Sequence, residues 1–429
     1  MKFLRHIHRL PLFKITSLNS LSVLVKIGVG VVSSKVMAVF VGPSGLALVG
    51  NFRNFITSIE TVSTLGLQNG VVKYVVDAKD DAPALQKVLA TVFISLAAMV
   101  VVLSAGLLLF AHFWSVWLFG PASDFHSVFI ALALALPWYA ASILLVSVLN
   151  GLGQFQQVIR VNLWGNFLGL LVSLVLVWYY RTFGALLSLV IPPALLFVVV
   201  VYYLQTKIQF AQLLSWQSFD RQILWQLSSY SLMALVATVL GPLVYVQIRN
   251  EVIAQQGMVQ AGYWEAMTRI SSYYFLFIAT LLSVYFLPKL SQAKTNKATQ
   301  QVFFSYYKLV LPLFVLGLLI LYFGRNFWVP LLFSKAFAPV TDLFLWQMVG
   351  DVFKAASLIL GYQFFAKKMT VSFILCELSS LGTFYICTLI CLPKFQLQGV
   401  VMAQAMASMG YFFLLVWVFR KQILAQENK

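Results

Sequence analysis

Long apolar segments, each about the length that a helix needs to cross a bilayer, constrain the fold more than any other feature. A spanning helix takes about 17–25 predominantly apolar residues, and twelve segments of that kind are predicted at 17–41, 46–76, 85–111, 126–149, 156–180, 184–206, 222–248, 260–287, 301–323, 342–366, 370–392 and 397–420. Only 10% of the residues are charged, against about 25% in soluble domains. The sequence therefore predicts an all-α protein that crosses a membrane many times, because helices satisfy their own backbone hydrogen bonds in lipid.

The Lys and Arg residues outside these segments are distributed unequally between the two sides. Twelve spans place both termini on one side, and most of the 29 Lys and Arg residues fall in the loops of that side. Cytoplasmic loops collect such an excess, so we expect both termini to be cytoplasmic. The basic stretch from Met1 to Lys14 leads into an apolar run too long for the core of a cleaved signal peptide.

Three spacings indicate that the second half repeats the first. Arg53 and Arg269 are 216 positions apart, and so are Lys73 and Lys289; Gly184 and Gly399 are 215 apart. We predict an N-terminal lobe of six spans at 1–206, a cytoplasmic linker at 207–221, and a C-terminal lobe of six spans at 222–429. The linker region is either an amphipathic segment on the membrane surface or an ordinary connection. Repeats of this kind hold substrate between the halves.

Basic residues within or at the ends of the apolar segments are the candidate binding residues. A charge at membrane depth costs about 2.5–3.5 kcal/mol on insertion scales, so such residues are expected to face a cavity or the protein interior. The candidates for a cationic, substrate-binding cavity are Lys26, Arg53, Lys73, Arg249, Arg269 and Lys354. A surplus of positive charge at this depth suits a phosphate or pyrophosphate group.

Acidic residues at similar depth are fewer, and two roles remain open for them. The candidates for ion coupling or charge pairing are Glu60, Glu265, Asp351 and Glu377. Glu265 and Arg269 are four apart, and Asp351 and Lys354 are three apart, so each pair shares a helix face. Some of these charges therefore neutralise one another under one interpretation, and carry ions under the other.

Motifs of soluble catalysis, metal binding and nucleotide binding are absent from the sequence. There is no Gly-x-x-x-x-Gly-Lys-Ser/Thr loop and no His-Glu-x-x-His pair. The three cysteines lie in one apolar stretch without a Cys-x-x-Cys spacing and are interpreted as packing residues. We expect a protein that is not an enzyme and has no metal or cofactor. The net charge of +17 is explained by membrane topology, so no nucleic-acid partner is expected.

Several stretches of the sequence resemble one transporter family. They are LVKIGVG from Leu24, NFRNFIT from Asn51, NGVVKYV from Asn69, SVYFLPKLS from Ser283, and LFLWQMVGDVFKAASLILGYQFFAK from Leu343. They resemble the lipid III flippases of enterobacterial common antigen synthesis, which are grouped with the O-antigen translocases in the multidrug/oligosaccharidyl-lipid/polysaccharide exporter superfamily. The resemblance covers nearly the whole chain.

This resemblance implies a fold, a cargo and partners. The fold is two six-helix lobes that form a V-shaped bundle around a central cationic cavity with alternating access. The cargo is an undecaprenyl-pyrophosphate-linked oligosaccharide, moved from the cytoplasmic to the periplasmic leaflet of a bacterial inner membrane. Its pyrophosphate is expected among Lys26, Arg53, Lys73 and Arg269. Membrane lipid, a polysaccharide polymerase and a chain-length regulator are the other candidate partners, and a monomer is the expected state.

Three other functions compete with this interpretation. A cation-coupled multidrug antiporter of the same fold would bind cationic drugs and need embedded acids, but embedded cations outnumber acids here. A membrane glycosyltransferase or polymerase would need a long outer loop with catalytic acids. The longest predicted outer loops, near 112–125 and 324–341, hold few acids. A structural scaffold would leave the repeated spacing of embedded charge unexplained.

Overall fold

Helices form almost the whole of this protein in the computed structural model, which describes residues 11–121, 123–206, 208, 215–225, 227 and 235–424. No strand occurs in these ranges, and the prediction of an all-α protein is confirmed. Residues 1–10, which carry most of the basic N-terminal stretch, lie outside the described ranges, as do several positions of the predicted linker and of the seventh predicted span.

The first part of the chain, as far as it is described, contains eight α-helices. They are α1 Pro11–Phe40, α2 Gly42–Ser63, α3 Gln68–Ala78, α4 Ala82–Leu109, α5 Ala111–Phe119, α6 His126–Gly151, α7 Phe155–Leu187 and α8 Ile191–Leu204. A short 3₁₀ turn at Trp216–Ser218 and a π-helical turn at Val236–Leu240 follow.

The described residues after 240 form eight more α-helices, with irregular turns between some of them. The α-helices are α9 Gly241–Gln256, α10 Met258–Leu281, α11 Leu287–Gln292, α12 Asn296–Phe323, α13 Arg325–Leu332, α14 Phe344–Lys367, α15 Thr370–Val418 and α16 Arg420–Ile423. A π-helical turn at Leu282–Phe286 joins α10 to α11, and a 3₁₀ segment at Lys335–Leu343 leads into α14.

Two long helices each contain a sharp reversal of the chain. α7 breaks at Arg181 (φ 51°, ψ −122°) and α15 breaks at Gln396 (φ 53°, ψ −141°), where both residues take backbone angles foreign to a helix. The chain returns on itself so closely that a Cβ on Gly184 would overlap the Leu176 carbonyl, and a Cβ on Gly399 would overlap that of Cys391. α15 therefore contains the span predicted at 370–392 and all but the last two residues of the span predicted at 397–420.

The backbone also repeats itself at nearly the spacing predicted from the sequence. Positive φ angles recur 215 positions apart at Gly42 and Gly257, and again at Gly153 and Lys368. The break at Arg181 recurs 215 positions later at Gln396. These unusual conformations mark the ends of corresponding helices, so the internal repeat is a property of the fold as well as of a few side chains.

The span predicted at 46–76 is wrong as a single helix. The structure divides it into α2 and α3 at residues 64–67, where Leu65 (φ 53°) and Gly66 (φ 62°) take left-handed angles. A helix cannot continue through two such residues. Lys73 consequently lies on α3, a separate helix, with an exposed side chain.

Eight helices in the described part of the chain are long and apolar enough to cross a membrane. α7 and α15 are among them, and each contains a reversal, so the number of crossings differs from the number of long helices. The protein is a multi-pass membrane protein. The total of twelve spans stays a prediction.

The chain folds as two compact units. Unit 1 is Met1–Val41 with Asn51–Leu243, and unit 2 is Gly42–Gly50 with Val244–Lys429. The first residues of α2 thus group with the later part of the chain, while the rest of α2 belongs to unit 1. The lobe boundaries at 206 and 222 stay predictions.

Candidate functional site

In unit 1, one face of α2 is anchored in an aromatic core, and this orients the functional residues of that helix. Phe52 is fully buried and lies 5.6 Å from Phe129, between ring centroids. The buried amide of Asn51 donates a hydrogen bond of 3.0 Å to the Leu118 carbonyl. Because these neighbours face the core, Arg53 is turned towards a different part of unit 1.

Arg53 lines a cavity of about 300 Å³ inside unit 1. The polar part of its wall comes from Arg53, Thr57, Tyr139, Asn166, Ser173 and Ser188. The remaining wall is apolar and includes the proline pair that begins α8. A mostly apolar pocket with a few convergent polar groups is the usual form of a ligand site.

An acid–tyrosine pair adjoins this cavity. Tyr139, which lines it, donates a hydrogen bond of 2.7 Å from its hydroxyl to Oε2 of Glu60. Lys26, exposed on α1, interacts electrostatically with the same carboxylate. Three of the embedded charges predicted in this region, Lys26, Arg53 and Glu60, are therefore associated with one part of unit 1.

Unit 2 contains a buried charge cluster, which we call the Arg–Glu–Arg triad, formed by Arg249, Glu265 and Arg269. Arg249 Nη2 lies 2.7 Å from Glu265 Oε2, and Arg269 Nε lies 2.9 Å from Glu265 Oε1. Arg249 and Glu265 are fully buried and Arg269 is 5% exposed. Glu265 and Arg269 form the ion pair that their spacing of four positions allows, and the triad carries a net single positive charge.

Close backbone approach accompanies the triad. A Cβ on Gly50 would overlap the carboxylate of Glu265, and a Cβ on Gly262 would overlap the carbonyl of Pro43. The start of α2 and helix α10 therefore cross with glycine at the contact on each side. Arg249 also lies over the ring of Trp264, at 5.1 Å from its centroid.

A second buried carboxylate in unit 2, Asp351 on α14, is held by hydrogen bonds from neutral groups. It accepts them from the Ser271 hydroxyl at 2.7 Å, from the Tyr274 hydroxyl, and from the Gln347 amide at 3.1 Å. Asp351 is fully buried. Lys354 makes no direct ion pair with it in the described structure, although the two interact electrostatically. The expected i, i+3 ion pair is therefore not formed.

Lys354 lies instead among aromatic rings and a second acid. Its amino group is 4.9 Å from the centroid of Phe275, and it interacts electrostatically with Glu377 as well as with Asp351. Glu377 accepts a hydrogen bond of 3.3 Å from Tyr411. Lys354 and the acids Asp351 and Glu377 thus share one region of unit 2.

Hydrogen-bonding partners are the functional residues that the sequence did not indicate. Tyr139, Ser271, Tyr274 and Gln347 join charged groups, yet none carries a charge that stands out in an apolar segment. Gln347 precedes Asp351 by four positions, a helical spacing that could have identified it. Tyr139 is 79 positions from Glu60, and no local pattern connects them.

Metal chemistry receives no support from the described residues, where no group of three His, Cys, Asp or Glu side chains could hold an ion. Cys376, Cys387 and Cys391 are free thiols, two of them buried, in agreement with a packing role.

Comparison with known proteins identifies curated relatives. No family model matches the chain. It is 31% identical over 424 residues to the lipid III flippase of Escherichia coli (strain K12), covering 96% of this chain and 98% of the relative. The lipid III flippase of Shigella flexneri shows the same identity and coverage.

Solved structures show the same fold at low sequence identity. An inward-facing multidrug resistance MATE family transporter of the MOP superfamily matches with a TM-score of 0.77 and 14% identity, over 94% of each chain. The lipid II flippase MurJ, in an inward closed conformation, matches with a TM-score of 0.69 and 14% identity, over 96% of this chain and 90% of that one. With full-length relatives above 30% identity that are named as flippases and not as enzymes, the chain belongs to the lipid III flippase family.

Proposed function

We propose that this protein moves an undecaprenyl-pyrophosphate-linked oligosaccharide from the cytoplasmic to the periplasmic leaflet of a bacterial inner membrane by alternating access. Full-length similarity to lipid III flippases supports this cargo class. The observation that carries the proposal in the structure is Arg53, an arginine on α2 that lines a cavity. Both termini lie in the cytoplasm under this proposal, and the protein acts as a monomer.

Arg53 is the first residue we assign to the pyrophosphate. A guanidinium presents several donors in a planar fork that matches phosphate oxygens. Lys26 and Lys73 have exposed side chains on α1 and α3, and we assign them to the same anionic group. Arg249 and Arg269 already form ion pairs with the Glu265 carboxylate, so we assign them a weaker attraction for the anionic group of the cargo. Lys354 stays a candidate binding residue in unit 2.

The acids supply two candidate devices for ion coupling. Glu60 shares a hydrogen bond with a tyrosine that lines the Arg53 cavity. Asp351 is buried among neutral hydrogen-bond donors. Glu377 and Asp351 both interact electrostatically with Lys354. A proton or sodium gradient acting through these groups, or removal of cargo by a downstream polymerase with its chain-length regulator, would supply the direction of transport.

A multidrug antiporter is the second candidate, because a multidrug transporter shares the fold. Cationic drugs would require anionic contacts, whereas the side chain with full charge that lines the unit 1 cavity is Arg53. Sensitivity of a bacterial strain to cationic dyes, with and without this protein, separates the two candidates.

Complementation tests the proposal. A bacterium that lacks its lipid III flippase receives the wild type, Arg53→Ala, or Arg160→Ala, and surface common-antigen polymer is measured at matched protein level. Arg160 is an exposed arginine on α7 outside the cavity. We expect rescue by the wild type and by Arg160→Ala, and a fall of about tenfold or more with Arg53→Ala, because a charge-assisted bond to cargo is lost.

Other outcomes would contradict separate parts of the proposal. Full rescue by Arg53→Ala would exclude Arg53 as a cargo-binding residue while keeping the transport activity. Failure of the well-expressed wild type would reject this cargo.

A further inference from the structure

Part of the wall of the unit 1 cavity is built from α7, a helix that contributes no charge there. Asn166 and Ser173 lie on the face of α7 that lines the cavity, together with Gly165 and Gly169. These positions are spaced by helical turns, so they form one continuous strip. A polar strip on a spanning helix that faces a cavity is the usual mark of a substrate path.

The polar groups of this strip are available to a ligand. Within the described residues, neither the Asn166 amide nor the Ser173 hydroxyl makes a hydrogen bond to another part of the protein. Both residues are partly exposed, so a ligand that enters the cavity can reach their polar groups. Asn166 offers two donors and one acceptor, and Ser173 offers one donor with acceptor capacity.

Glycine keeps the strip open. A Cβ on Gly165 would press on Leu196, so glycine at that position serves the packing of α7 against α8. A Cβ on Gly169 would meet only Pro192, at an ordinary contact distance of 3.6 Å. Packing therefore does not require glycine at position 169. The absence of a side chain there increases the space available in the cavity.

The size of the cavity suits a small ring. Its volume is about 300 Å³, which is room enough for one sugar ring with its substituents. Neutral hydrogen-bonding groups beside the apolar face of a proline pair match a sugar ring, which has hydroxyls at its edge and C–H groups on its faces.

We infer that this cavity is a subsite for the sugar that is joined directly to the pyrophosphate, recognised through Asn166 and Ser173. The inference rests on the proposed function, in which Arg53 binds the pyrophosphate. Because Arg53 and the strip line the same cavity, a phosphate held by Arg53 places its attached sugar against α7.

Thiol protection tests the subsite directly. Ser173→Cys is introduced into a variant whose three native cysteines are replaced by alanine and which still transports cargo. The rate of modification by a small methanethiosulfonate is measured in detergent with three lipids: undecaprenyl pyrophosphate, the same lipid bearing one hexosamine, and the lipid bearing the full oligosaccharide. Arg160→Cys, exposed on the same helix, is the control position.

The two lipids that carry sugar are expected to slow modification of Ser173→Cys about tenfold, an effect of the size of one hydrogen-bonded contact, whereas the sugar-free lipid leaves the rate unchanged. No lipid changes the rate at Arg160→Cys. Equal protection by the sugar-free lipid would overturn the inference in favour of a pyrophosphate site. Protection by the full oligosaccharide alone, or by none of the lipids, would overturn it as well. These outcomes are distinct from failure of the wild type in complementation, which concerns the proposed function itself.

Discussion

Arg53 in unit 1 and Arg269 in unit 2 are paired by the predicted sequence repeat at a spacing of 216 positions, and they have different surroundings. Arg53 lines a cavity of about 300 Å³. Arg269 is 5% exposed and donates to the Glu265 carboxylate, which Arg249 also holds. Two arginines that the predicted sequence repeat pairs are thus a cavity-lining residue in one unit and part of a buried charge cluster in the other.

The residue four positions earlier differs between the two copies. Arg269 is preceded at that distance by Glu265, and Arg53 is preceded by Val49. Arg53 therefore has no carboxylate one turn before it on its own helix. The comparison teaches that two arginines paired by a sequence repeat can have different surroundings, and that an acid one helical turn away contributes to the difference.

Removal of the shared carboxylate should have the largest effect. Glu265→Gln preserves shape but removes the negative charge that Arg249 and Arg269 share, and breaking a buried ion pair costs about 3–5 kcal/mol. We expect a marked fall in the thermal midpoint of the purified protein, measured as monodisperse fraction after heating in detergent.

Glu251→Gln is the matched control for that variant. Glu251 is a partly exposed acid on α9, the helix that carries Arg249. Surface substitutions change the free energy of unfolding by about 0.5 kcal/mol or less, so neutralisation of Glu251 should leave the thermal midpoint nearly unchanged. An unchanged midpoint for Glu265→Gln would mean that the triad does not stabilise unit 2.

A change at the glycine that lies against the triad should have an intermediate effect. The Cβ of Gly50→Ala would overlap the buried Glu265 carboxylate, and such overpacking costs about 2 kcal/mol. The same heating assay measures it. Gly317→Ala on α12, where a Cβ would meet open space, is the control and should be neutral or slightly stabilising. Equal midpoints for the two variants would show that the carboxylate moves aside freely.

Removal of single hydroxyls should have the smallest effects and should differ between the two units. Tyr139→Phe removes a 2.7 Å bond to Glu60, and Tyr411→Phe removes a 3.3 Å bond to Glu377. A typical bond contributes about 1 kcal/mol, and the shorter one should contribute more. Thermal midpoints of both variants test this order, and a larger loss for Tyr411→Phe would contradict it.

Local spacing predicted some of these features and failed for others. The pairing of Glu265 with Arg269 followed from helix geometry, since four residues make about one turn. Asp351 and Lys354 also share a helix face, yet they form no ion pair in the described structure. Hydroxyl groups on α10 donate hydrogen bonds to the Asp351 carboxylate instead. Neutral partners from another helix leave no trace in the sequence around an acid.

The break between α2 and α3 exposes a second limit. Residues 46–76 are predicted as one span despite the charges and polar residues that they contain, and the left-handed Leu65 that divides them is a residue type with no preference for that conformation. Packing of the flanking helices decides such a turn, so the sequence placed Lys73 inside a span and the structure places it on a separate helix.

The sequence by itself determined the helical membrane fold and indicated an internal repeat, because hydropathy and helix periodicity are local properties of one segment. Only the tertiary structure decided that Arg249 joins Glu265, that Tyr139 connects Glu60 to a cavity, and that Asn166 and Ser173 line that cavity. Those relations depend on which faces of distant helices meet, and a hydrogen bond between helices is specified by packing of the whole unit.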